Sequence, residues 1–266
     1  MYDYHVHTSF SPDSRAAAAD VMERAAALGL REIALTDHYN PKYPKPDFIN
    51  EPLSADDFSV MCALGEQYAG RVRLVKGIEN GIQLDAIEEN TAAARMHPYD
   101  FVMASFHSMG GCPLSEHRFF DGRTAAETYL YYYNYIYEAL CAYTDFDVLG
   151  HINLLERYYD ENPAVEAYWE PVERILRLLA ARGQGLEINT SNMRYGRANV
   201  SLPTKRMLEA YRRFGGETVT IGSDAHKVQD IGAWLKHGTA LLESAGFRYF
   251  ATFKDRKPSH IKLSDF

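Results

Sequence analysis

The feature of this sequence that most constrains its fold is the repeated succession of an apolar run and a histidine or acidic residue. Runs rich in Ile, Val, Leu and aromatic residues lead into such residues from residue 3 to residue 226. Short apolar runs of this kind predict buried strands, and helix-like segments separate them along the chain. Strands and helices in alternation predict parallel pairing. Because a parallel barrel collects its functional side chains at the carboxyl ends of its strands, we predict an α/β barrel with one polar site at that end.

The predicted strands and helices alternate over most of the chain. The strands are predicted at residues 2–5, 32–36, 72–78, 99–106, 146–150, 185–188 and 218–222. The helices are predicted at residues 14–28, 54–68, 85–96, 124–144, 163–182 and 204–214. Ser54 or Asp56 is expected to cap the second helix and Asp85 to open the third, while Pro171 predicts a kink or restart in the fifth. The run at residues 249–253 is either a last strand or a docking segment.

Two segments between these elements are candidates for the surroundings of the site. Residues 40–52 form a predicted loop near the site entrance, and residues 110–123 form a candidate lid. The tyrosines of the helix at 124–144 could line a substrate pocket, but aromatic residues at helical spacing pack in the interior more often. No linker, charge run or repeat divides residues 1–266, which predicts a single domain.

Composition excludes several classes of protein. The chain has 266 residues, 46% of them hydrophobic and 24% charged, as in ordinary globular proteins. A net charge of −8 argues against a nucleic-acid partner but is compatible with a small phosphorylated substrate. The three cysteines form no CxxC pair, so neither a zinc ribbon nor a disulfide framework is indicated, and a reducing, cytoplasmic location is expected. No segment reads as a membrane span, and the polar start argues against a signal peptide.

Pairs of metal-binding side chains at alternate positions point to a metal centre. His5 and His7 lie on one face of an extended strand because side chains alternate with a period of two, and Asp224 and His226 form a second such pair. One histidine by itself is more often a structural residue than a ligand. Six of the ten histidines follow predicted strands, however, and this repetition favours a multi-metal centre.

The motifs at the predicted strand ends resemble those of a known family. They are His5-Val6-His7-Thr8, Thr36-Asp37-His38, Gly77-Ile78-Glu79, Ser105-Phe106-His107, Gly150-His151, Glu187-Ile188-Asn189-Thr190 and Gly222-Ser223-Asp224-Ala225-His226. From residue 3 to about residue 232 the chain resembles the PHP (polymerase and histidinol phosphatase) superfamily, and within it the histidinol-phosphatase branch. The resemblance implies a distorted (β/α)7 TIM-like barrel with two or three divalent metal ions, such as zinc, iron or manganese, at the carboxyl ends of the strands.

The resemblance also implies how the ligands are shared among the metals. The first metal would be held by His5, His7, Glu79 and Asp224. Glu79 would bridge to a second metal, which would also be held by His107 and His151. A third metal would be held by His38, His226 and Asp13. Asp13 departs from the histidine that many family members carry, so a turn or helix N-cap residue is the alternative for it.

Other residues are candidates for contacts with a substrate. In the branch that the chain resembles, arginines at the places of Arg157 and Arg194 clamp the substrate phosphate, for which a guanidinium is well suited; surface ion pairs are the alternative. Asp37 either orients a ligand or is a hydrogen-bonded aspartate at a strand end. The weaker cationic candidates are Arg197 and Lys227. The histidines away from strand ends are expected to be structural or exposed, with a substrate contact considered only for the first of them: His117, His97, His237 and His260.

The expected activity is hydrolysis of a phosphate monoester by a metal-bridging hydroxide, without a covalent phosphoenzyme. The resemblance implies L-histidinol phosphate as substrate and a step in histidine biosynthesis. One alternative is another small phosphate ester, including a nucleotide or a phosphotyrosine. A metal-binding regulatory domain without turnover and a metal amidohydrolase are further alternatives. The amidohydrolase would often need a bridging carboxylated lysine, and no lysine stands at a central predicted strand end.

Overall fold

The computed structural model of the protein describes residues 1–48, 51–159, 161, 163–197 and 200–266. Within these residues the strands are β1 (Tyr2–Val6), β2 (Glu32–Leu35), β3 (His38–Tyr39), β4 (Arg73–Gly81), β5 (Phe101–Ser105), β6 (Ser108–Met109), β7 (Cys112–Pro113), β8 (Val148–Leu149), β9 (Gly185–Asn189), β10 (Val219–Gly222), β11 (Tyr249–Lys254) and β12 (Lys257–Lys262). The α-helices are α1 (Ala18–Ala27), α2 (Ala55–Gln67), α3 (Ile87–Met96), α4 (Ala125–Ala142), α5 (Leu155–Tyr158), α6 (Trp169–Arg182), α7 (Lys205–Arg213) and α8 (Leu235–Ser244).

A parallel sheet, nearly closed into a barrel, forms the centre of the molecule. Its strands are hydrogen-bonded in the order β1-β2-β4-β5-β8-β9-β10, and β3 pairs with the end of β4. The two outer strands of this order meet through a parallel bridge between Val6 and Ala225. There the amide of Asp224 donates to the carbonyl of His5 at 2.8 Å. The structure thus confirms the predicted α/β class and the distorted TIM-like barrel.

The barrel strands are buried because helices cover the outside of the sheet. All residues of β1, β5, β9 and β10 are buried, as expected for parallel strands with both faces covered. The tyrosines of α4 belong to the same apolar core, and Tyr129, Tyr132 and Tyr133 are at most 1% exposed. The prediction that this helix uses its tyrosines for packing is therefore confirmed.

The caps of the helices agree with the sequence at some positions and not at others. Ser54 caps α2 as predicted, since its hydroxyl accepts from the Asp57 amide at 3.1 Å. Asp85 does not open α3, which begins at Ile87 without a side-chain cap. The predicted helix at 163–182 begins only at Trp169, and a short 3-10 turn precedes it at Val165–Ala167. Pro171 lies in the first turn of α6, where its missing N–H is tolerated, so it marks the start of a helix rather than a kink.

Several small elements were not predicted from the sequence. They are β3, β6, β7, β12, α5 and α8. The apolar run at 249–253 is a strand, β11, which pairs with the exposed strand β12 in an antiparallel hairpin. The candidate lid at 110–123 contains part of the β6–β7 hairpin and a 3-10 turn at His117–Phe120. Among the residues that the structure describes, no helix has both the length and the apolar character to cross a membrane.

Candidate metal centre

Glu79 lies at the centre of the site and is fully buried near the end of β4. One of its carboxylate oxygens, Oε2, faces three imidazoles. It lies 2.7 Å from Nδ1 of His38, 3.3 Å from Nε2 of His5 and 3.5 Å from Nε2 of His7. The adjacency of His5 and His7 follows from the period of β1, which directs both side chains to one face.

The second oxygen of Glu79, Oε1, faces two other imidazoles. It lies 2.9 Å from Nε2 of His151 and 3.3 Å from Nε2 of His107. The amide oxygen of Asn40 lies 2.9 Å from Nδ1 of His107, so that Nδ1 donates and Nε2 keeps its lone pair toward Glu79. A carboxylate that faces one group of histidines with each oxygen has an arrangement compatible with the bridging role that the family resemblance implies for Glu79.

Asp224 approaches the same centre just beyond β10. Its Oδ1 lies 3.5 Å from Nε2 of His7 and 3.7 Å from Nε2 of His5. Its other oxygen, Oδ2, accepts hydrogen bonds from Asn189 at 3.3 Å and from Ser191 at 3.1 Å. The backbone of Asp224 has φ of 54°, a left-handed conformation that costs energy outside glycine and often marks functional sites.

Asp13 lies at the outer side of the centre, between two histidines. Its Oδ2 is 3.2 Å from Nε2 of His226 and 3.4 Å from Nε2 of His38. Asp13 is not the N-cap of α1, because Ala17 holds that position. The structure therefore brings Asp13 together with the two histidines that the family resemblance groups with it.

The donor atoms are close enough together to share metal ions. Among the residues that the structure describes, three groups have potential ligand atoms that all lie within 4.8 Å of one another: His5, His7 and Asp224; His38, Glu79 and His107; and His7, His38 and His226. Imidazole nitrogens and carboxylate oxygens suit zinc, iron and manganese alike. The residues present therefore fit a centre that holds more than one divalent cation.

The electrostatics of the cluster keep Glu79 ionised and favour a charged ring at His5 but a neutral ring at His7. Burial opposes the ionised form of Glu79, yet His5, His38 and His107 hold the pKa of Glu79 well below its ordinary value. Burial also opposes the charged form of His5, but Glu187 and Glu79 raise the pKa of His5 well above its ordinary value. Burial and the neighbouring His226 hold the pKa of His7 well below its ordinary value, so its ring stays neutral with a lone pair available to a metal.

Asp37 orients a ligand through a serine. The Ser11 hydroxyl donates to Oδ1 of Asp37 at 2.7 Å and accepts from the His38 amide at 3.0 Å. Its remaining lone pair faces Nδ1 of His7 at 3.2 Å, so Nδ1 donates and Nε2 is directed to the centre. The carboxylate of Asp37 also accepts from the amide and hydroxyl of Thr8 at 2.7 and 2.9 Å. Asp37 is thus a hydrogen-bonded aspartate at a strand end, and through Ser11 it is linked to the ring of His7 and to the backbone of His38.

Glu187, in β9, is a buried acid to which the sequence analysis assigned no role. Its Oε1 lies 2.6 Å from Nδ1 of His5, and its Oε2 accepts from the His151 amide at 2.8 Å. Gly222 makes this approach possible, because a Cβ at that position would lie 2.3 Å from Cβ of His5. The motif that contains Glu187 was noted in the sequence, and the acid inside a buried strand was its available signal.

Arg157 faces the site from α5. Its guanidinium donates to Asn192 at 3.0 Å, to Ser191, and to Oδ2 of Asp224 at 3.3 Å. It also lies over the ring of Tyr195 at 4.9 Å. A nearly buried guanidinium beside a ligand carboxylate is well placed to bind an anion that enters the centre.

Arg194 is turned toward the backbone beyond β10. It donates to the carbonyls of Ser223 and Asp224 at 2.8 and 2.7 Å. Arg194 is absent from the described residues that line the cavity beside Arg157, and so are Arg197, Lys227 and His117. A phosphate contact by Arg194 stays a prediction, and what the structure shows is that it holds the turn of Asp224.

A cavity of about 220 Å³ opens at the ligand cluster. The predicted entrance loop contributes Asn40, Tyr43, Lys45 and Phe48 to its wall, while residues 49 and 50 of that loop lie outside the described residues. The candidate lid contributes Ser115. Apart from the candidate metal ligands, the cavity is also lined by Leu154, Arg157, Tyr158 and Tyr195.

The remaining histidines are placed as expected. His97 stacks on Phe58 with 4.4 Å between ring centroids, and its Nε2 lies 2.6 Å from the Leu53 carbonyl oxygen, so it is structural. His237 and His260 are exposed. His117 is also exposed, on the 3-10 turn of the candidate lid.

Comparison with known families agrees with the geometry. A family model described as the PHP domain matches residues 3–191, which is most of the chain. The protein therefore belongs to the PHP domain family. The match ends before β10, so Asp224 and His226 come from a part of the barrel beyond the matched span.

Individual relatives extend over nearly the whole chain. The histidinol-phosphatase of Lactococcus lactis is 27% identical over 267 residues, which cover 98% of this chain and 97% of the relative. The probable histidinol-phosphatase of Thermotoga maritima is 29% identical over 253 residues, covering 94% and 95%. The crystal structure of the Lactococcus lactis histidinol phosphate phosphatase in complex with zinc, L-histidinol and phosphate superimposes with a TM-score of 0.85 at 27% identity, covering 97% of this chain and 98% of that chain.

Proposed function

We propose that the protein is a metal-dependent phosphatase that hydrolyses L-histidinol phosphate to L-histidinol and phosphate, a step of histidine biosynthesis. The observation that carries the proposal is the cluster of histidines and carboxylates around Glu79, open to a cavity that also contains Arg157. The similarity to a histidinol phosphate phosphatase, whose structure holds zinc, L-histidinol and phosphate, supports this substrate.

The ligand groups support two or three metal positions. The first would be held by His5, His7, Glu79 and Asp224, and Glu79 would also serve a second with His107 and His151. Asp13, His38 and His226 would hold a third. Zinc, iron and manganese are the candidates. Bound there, such cations neutralise the charge of a phosphate dianion and make water a competent nucleophile near neutral pH.

The chain's own residues bind and orient the substrate. Nε and Nη2 of Arg157 donate to side chains of the protein, which hold the guanidinium in place, and its Nη1 is offered to the phosphate oxygens at the edge of the ligand cluster. The outer wall of the cavity, which includes Tyr43, Phe48 and Tyr195, offers aromatic surface to the imidazole part of the substrate. No covalent phosphoenzyme is part of this proposal, since hydrolysis needs only a water placed opposite the leaving group.

The test is phosphate release from L-histidinol phosphate by the purified protein loaded with Zn²⁺ or Mn²⁺. A chelated sample and a panel of other small esters, including nucleotides and phosphotyrosine, are the comparisons. We expect chelator-sensitive turnover with a strong preference for L-histidinol phosphate. Turnover of the other esters alone would replace the substrate but keep the enzyme class, whereas no turnover at full metal occupancy would refute the proposed activity.

A further inference from the structure

Glu187 touches two separate parts of the ligand cluster with one carboxylate. Its Oε1 contacts the ring of His5 at 2.6 Å, and its Oε2 contacts the backbone amide of His151 at 2.8 Å. The side chain is fully buried, and its further described hydrogen bonds come from the Asn189 amide group at 3.3 and 3.4 Å. Burying a carboxylate costs free energy unless hydrogen bonds or opposite charges compensate for it. For Glu187 this compensation comes from its contacts with His5 and His151.

The contact with His5 determines which ring nitrogen is available to a metal. A carboxylate accepts hydrogen bonds, so Nδ1 of His5 carries a hydrogen, and in the neutral ring that a metal requires the lone pair is on Nε2. That Nε2 faces the other ligands, 3.0 Å from Nε2 of His7 and 3.3 Å from Oε2 of Glu79. The contact with His151 acts on the other side of Glu79, because Nε2 of His151 faces Oε1 of that residue at 2.9 Å.

We propose that Glu187 is a positioning residue that fixes the tautomer of His5 and sets the spacing between the two ligand groups on either side of Glu79. This inference rests on the metal binding of the proposed function. Glu187 itself touches neither metal nor substrate in this scheme. Its two oxygens act at two metal positions through two different ligands, His5 and His151.

The variant Glu187→Gln separates positioning from mere filling of space. A glutamine has the same size but offers one oxygen and one NH₂ group. The amide of His151 can only donate, so the glutamine oxygen must remain there. Its NH₂ group then faces Nδ1 of His5, which must accept, and the hydrogen moves to Nε2. His5 is thereby removed as a ligand, while His151 keeps its place.

The experiment is a calorimetric titration of the metal-free protein with Zn²⁺, together with ¹⁵N spectra of the histidine rings in the zinc-loaded protein. For Glu187→Gln we expect one class of sites to weaken by roughly 10–100-fold, with the others unchanged, and the strongly hydrogen-bonded Nδ1–H of His5 to be lost. His5→Gln assigns that ring signal. Glu187→Ala is expected to weaken sites on both sides of Glu79.

Asp147→Asn is the matched control. Asp147 is a largely buried carboxylate before β8 that accepts from the Val102 amide at 2.8 Å and from Arg256 at 2.6 Å, away from the ligands. The variant Asp147→Asn is expected to lower the free energy of unfolding and to leave zinc binding unchanged. Unchanged zinc affinities in Glu187→Gln would overturn the inference, and so would an equal loss at every site. If the unaltered protein bound no zinc, the proposed metal centre would be refuted as well. Zinc binding by the unaltered protein therefore distinguishes a failure of the metal centre from a failure of the role of Glu187 alone.

Discussion

At the scale of single residues, the chemistry of the site depends on how each ligand is held. His7, His5 and His107 each turn Nδ1 toward a hydrogen-bonding partner and Nε2 toward the centre. The partners come from different elements: Ser11 follows β1, Glu187 lies in β9 and Asn40 follows β3. Such partners keep the ligand rings in one orientation before any cation binds, which lowers the cost of organising the site.

Arg157 and Arg194 are expected to respond differently to the same substitution. Arg157→Lys keeps the charge but loses the planar fork at the cavity, so kcat/KM should fall by roughly 10–100-fold, with metal content unchanged. Arg194→Lys removes the paired contacts to the carbonyls of Ser223 and Asp224, so its main effect should be weaker metal binding. Steady-state kinetics beside metal analysis separates the two.

The control for these arginine variants is Arg206→Lys, at an exposed ion pair with Glu166. Arg206→Lys should leave both kcat/KM and metal content unchanged. A loss of metal in Arg157→Lys, with kcat/KM restored by added metal, would contradict the assignment of Arg157 to the phosphate.

Glu156 predicts a pH dependence of stability. Burial raises the pKa of Glu156 from 4.5 to about 7, although a hydrogen bond from Asn153 opposes the shift. The folded state therefore holds a proton that the unfolded state releases between these values, and stability from this group falls as the pH rises through about 7. Glu156→Gln cannot ionise, so it should be more stable than the unaltered protein at about pH 8, by on the order of 1–3 kcal/mol.

Urea denaturation at about pH 4.5 and about pH 8 checks this prediction. At the lower pH, where the carboxyl group is protonated in the folded state and about half protonated in the unfolded state, the two proteins should have nearly equal free energies of unfolding. An equal difference at both pH values would mean that the ionisation of Glu156 is not responsible.

The side chains that meet around Glu79 could be predicted from the sequence, whereas most of the residues that hold them could not, with Asp37 as the exception. Histidines and acids directly after apolar runs gave a visible signal, because parallel strands bring their carboxyl ends together. Ser11 and Asn40 lie in loops, and their roles depend on which ring nitrogen they reach. Glu187 is buried within a motif, and its contact with His5 arises only when closure of the barrel places β1 and β9 on either side of β10.

At the scale of elements, whether a strand or helix could be predicted from the sequence depended on how regular its apolar pattern is. The barrel strands are buried, so their apolar runs could be recognised. The strand β12 is largely exposed and polar, and α5 has only four residues, so neither has a pattern to recognise. The start of α6 was misplaced because helix-forming residues precede it, while Pro171 belongs to its first turn.

The close approach of β1 and β10 predicts that Gly222 cannot be enlarged. A Cβ at Gly222 would lie 2.3 Å from Cβ of His5 and 2.9 Å from Oε1 of Glu187. Gly222→Ala should therefore destabilise the protein by about 1–3 kcal/mol, as overpacking does, and should also weaken zinc binding by displacing His5. Thermal unfolding and zinc titration measure the two effects.

Gly183→Ala provides the comparison. Gly183 ends α6 with φ of 68°, and a Cβ at this position would meet no atom of the described residues within 4 Å beyond its chain neighbours. Alanine there suffers only backbone strain of about 1 kcal/mol. Its zinc affinity should equal that of the unaltered protein. Full zinc affinity in Gly222→Ala would show that the seam between β1 and β10 tolerates more movement than its packing indicates.

At the scale of the whole molecule, the C-terminal hairpin is tied to the barrel. The Phe253 amide donates to the Tyr4 hydroxyl at 2.8 Å, and Arg73 donates to the Phe253 carbonyl at 2.8 Å. The Arg256 amide donates to the Asp100 carbonyl at 3.0 Å. These contacts support the proposal that residues 1–266 form a single domain, which should unfold in one cooperative transition.

Metal binding should stabilise this unit as a whole. The ligands extend from His5 to His226, so a cation binds them together only in the folded chain. At a free metal concentration about 100 times Kd, the gain is about 2.7 kcal/mol per site, which raises Tm by roughly 5–10 °C. Calorimetry with Zn²⁺ and with a chelator measures this shift. Two separate transitions, with only one sensitive to metal, would contradict the single domain.

The bridge between Val6 and Ala225 has a consequence for the synthesis of the protein. Translation releases His5 and His7 early, but β10 and Asp224 leave the ribosome only after most of the chain has been made. Until then, the edge of β1 that meets β10 in the finished barrel has no partner strand. The group of His5, His7 and Asp224 is thus completed late in translation, so a growing chain cannot offer all three side chains to a cation before the barrel closes.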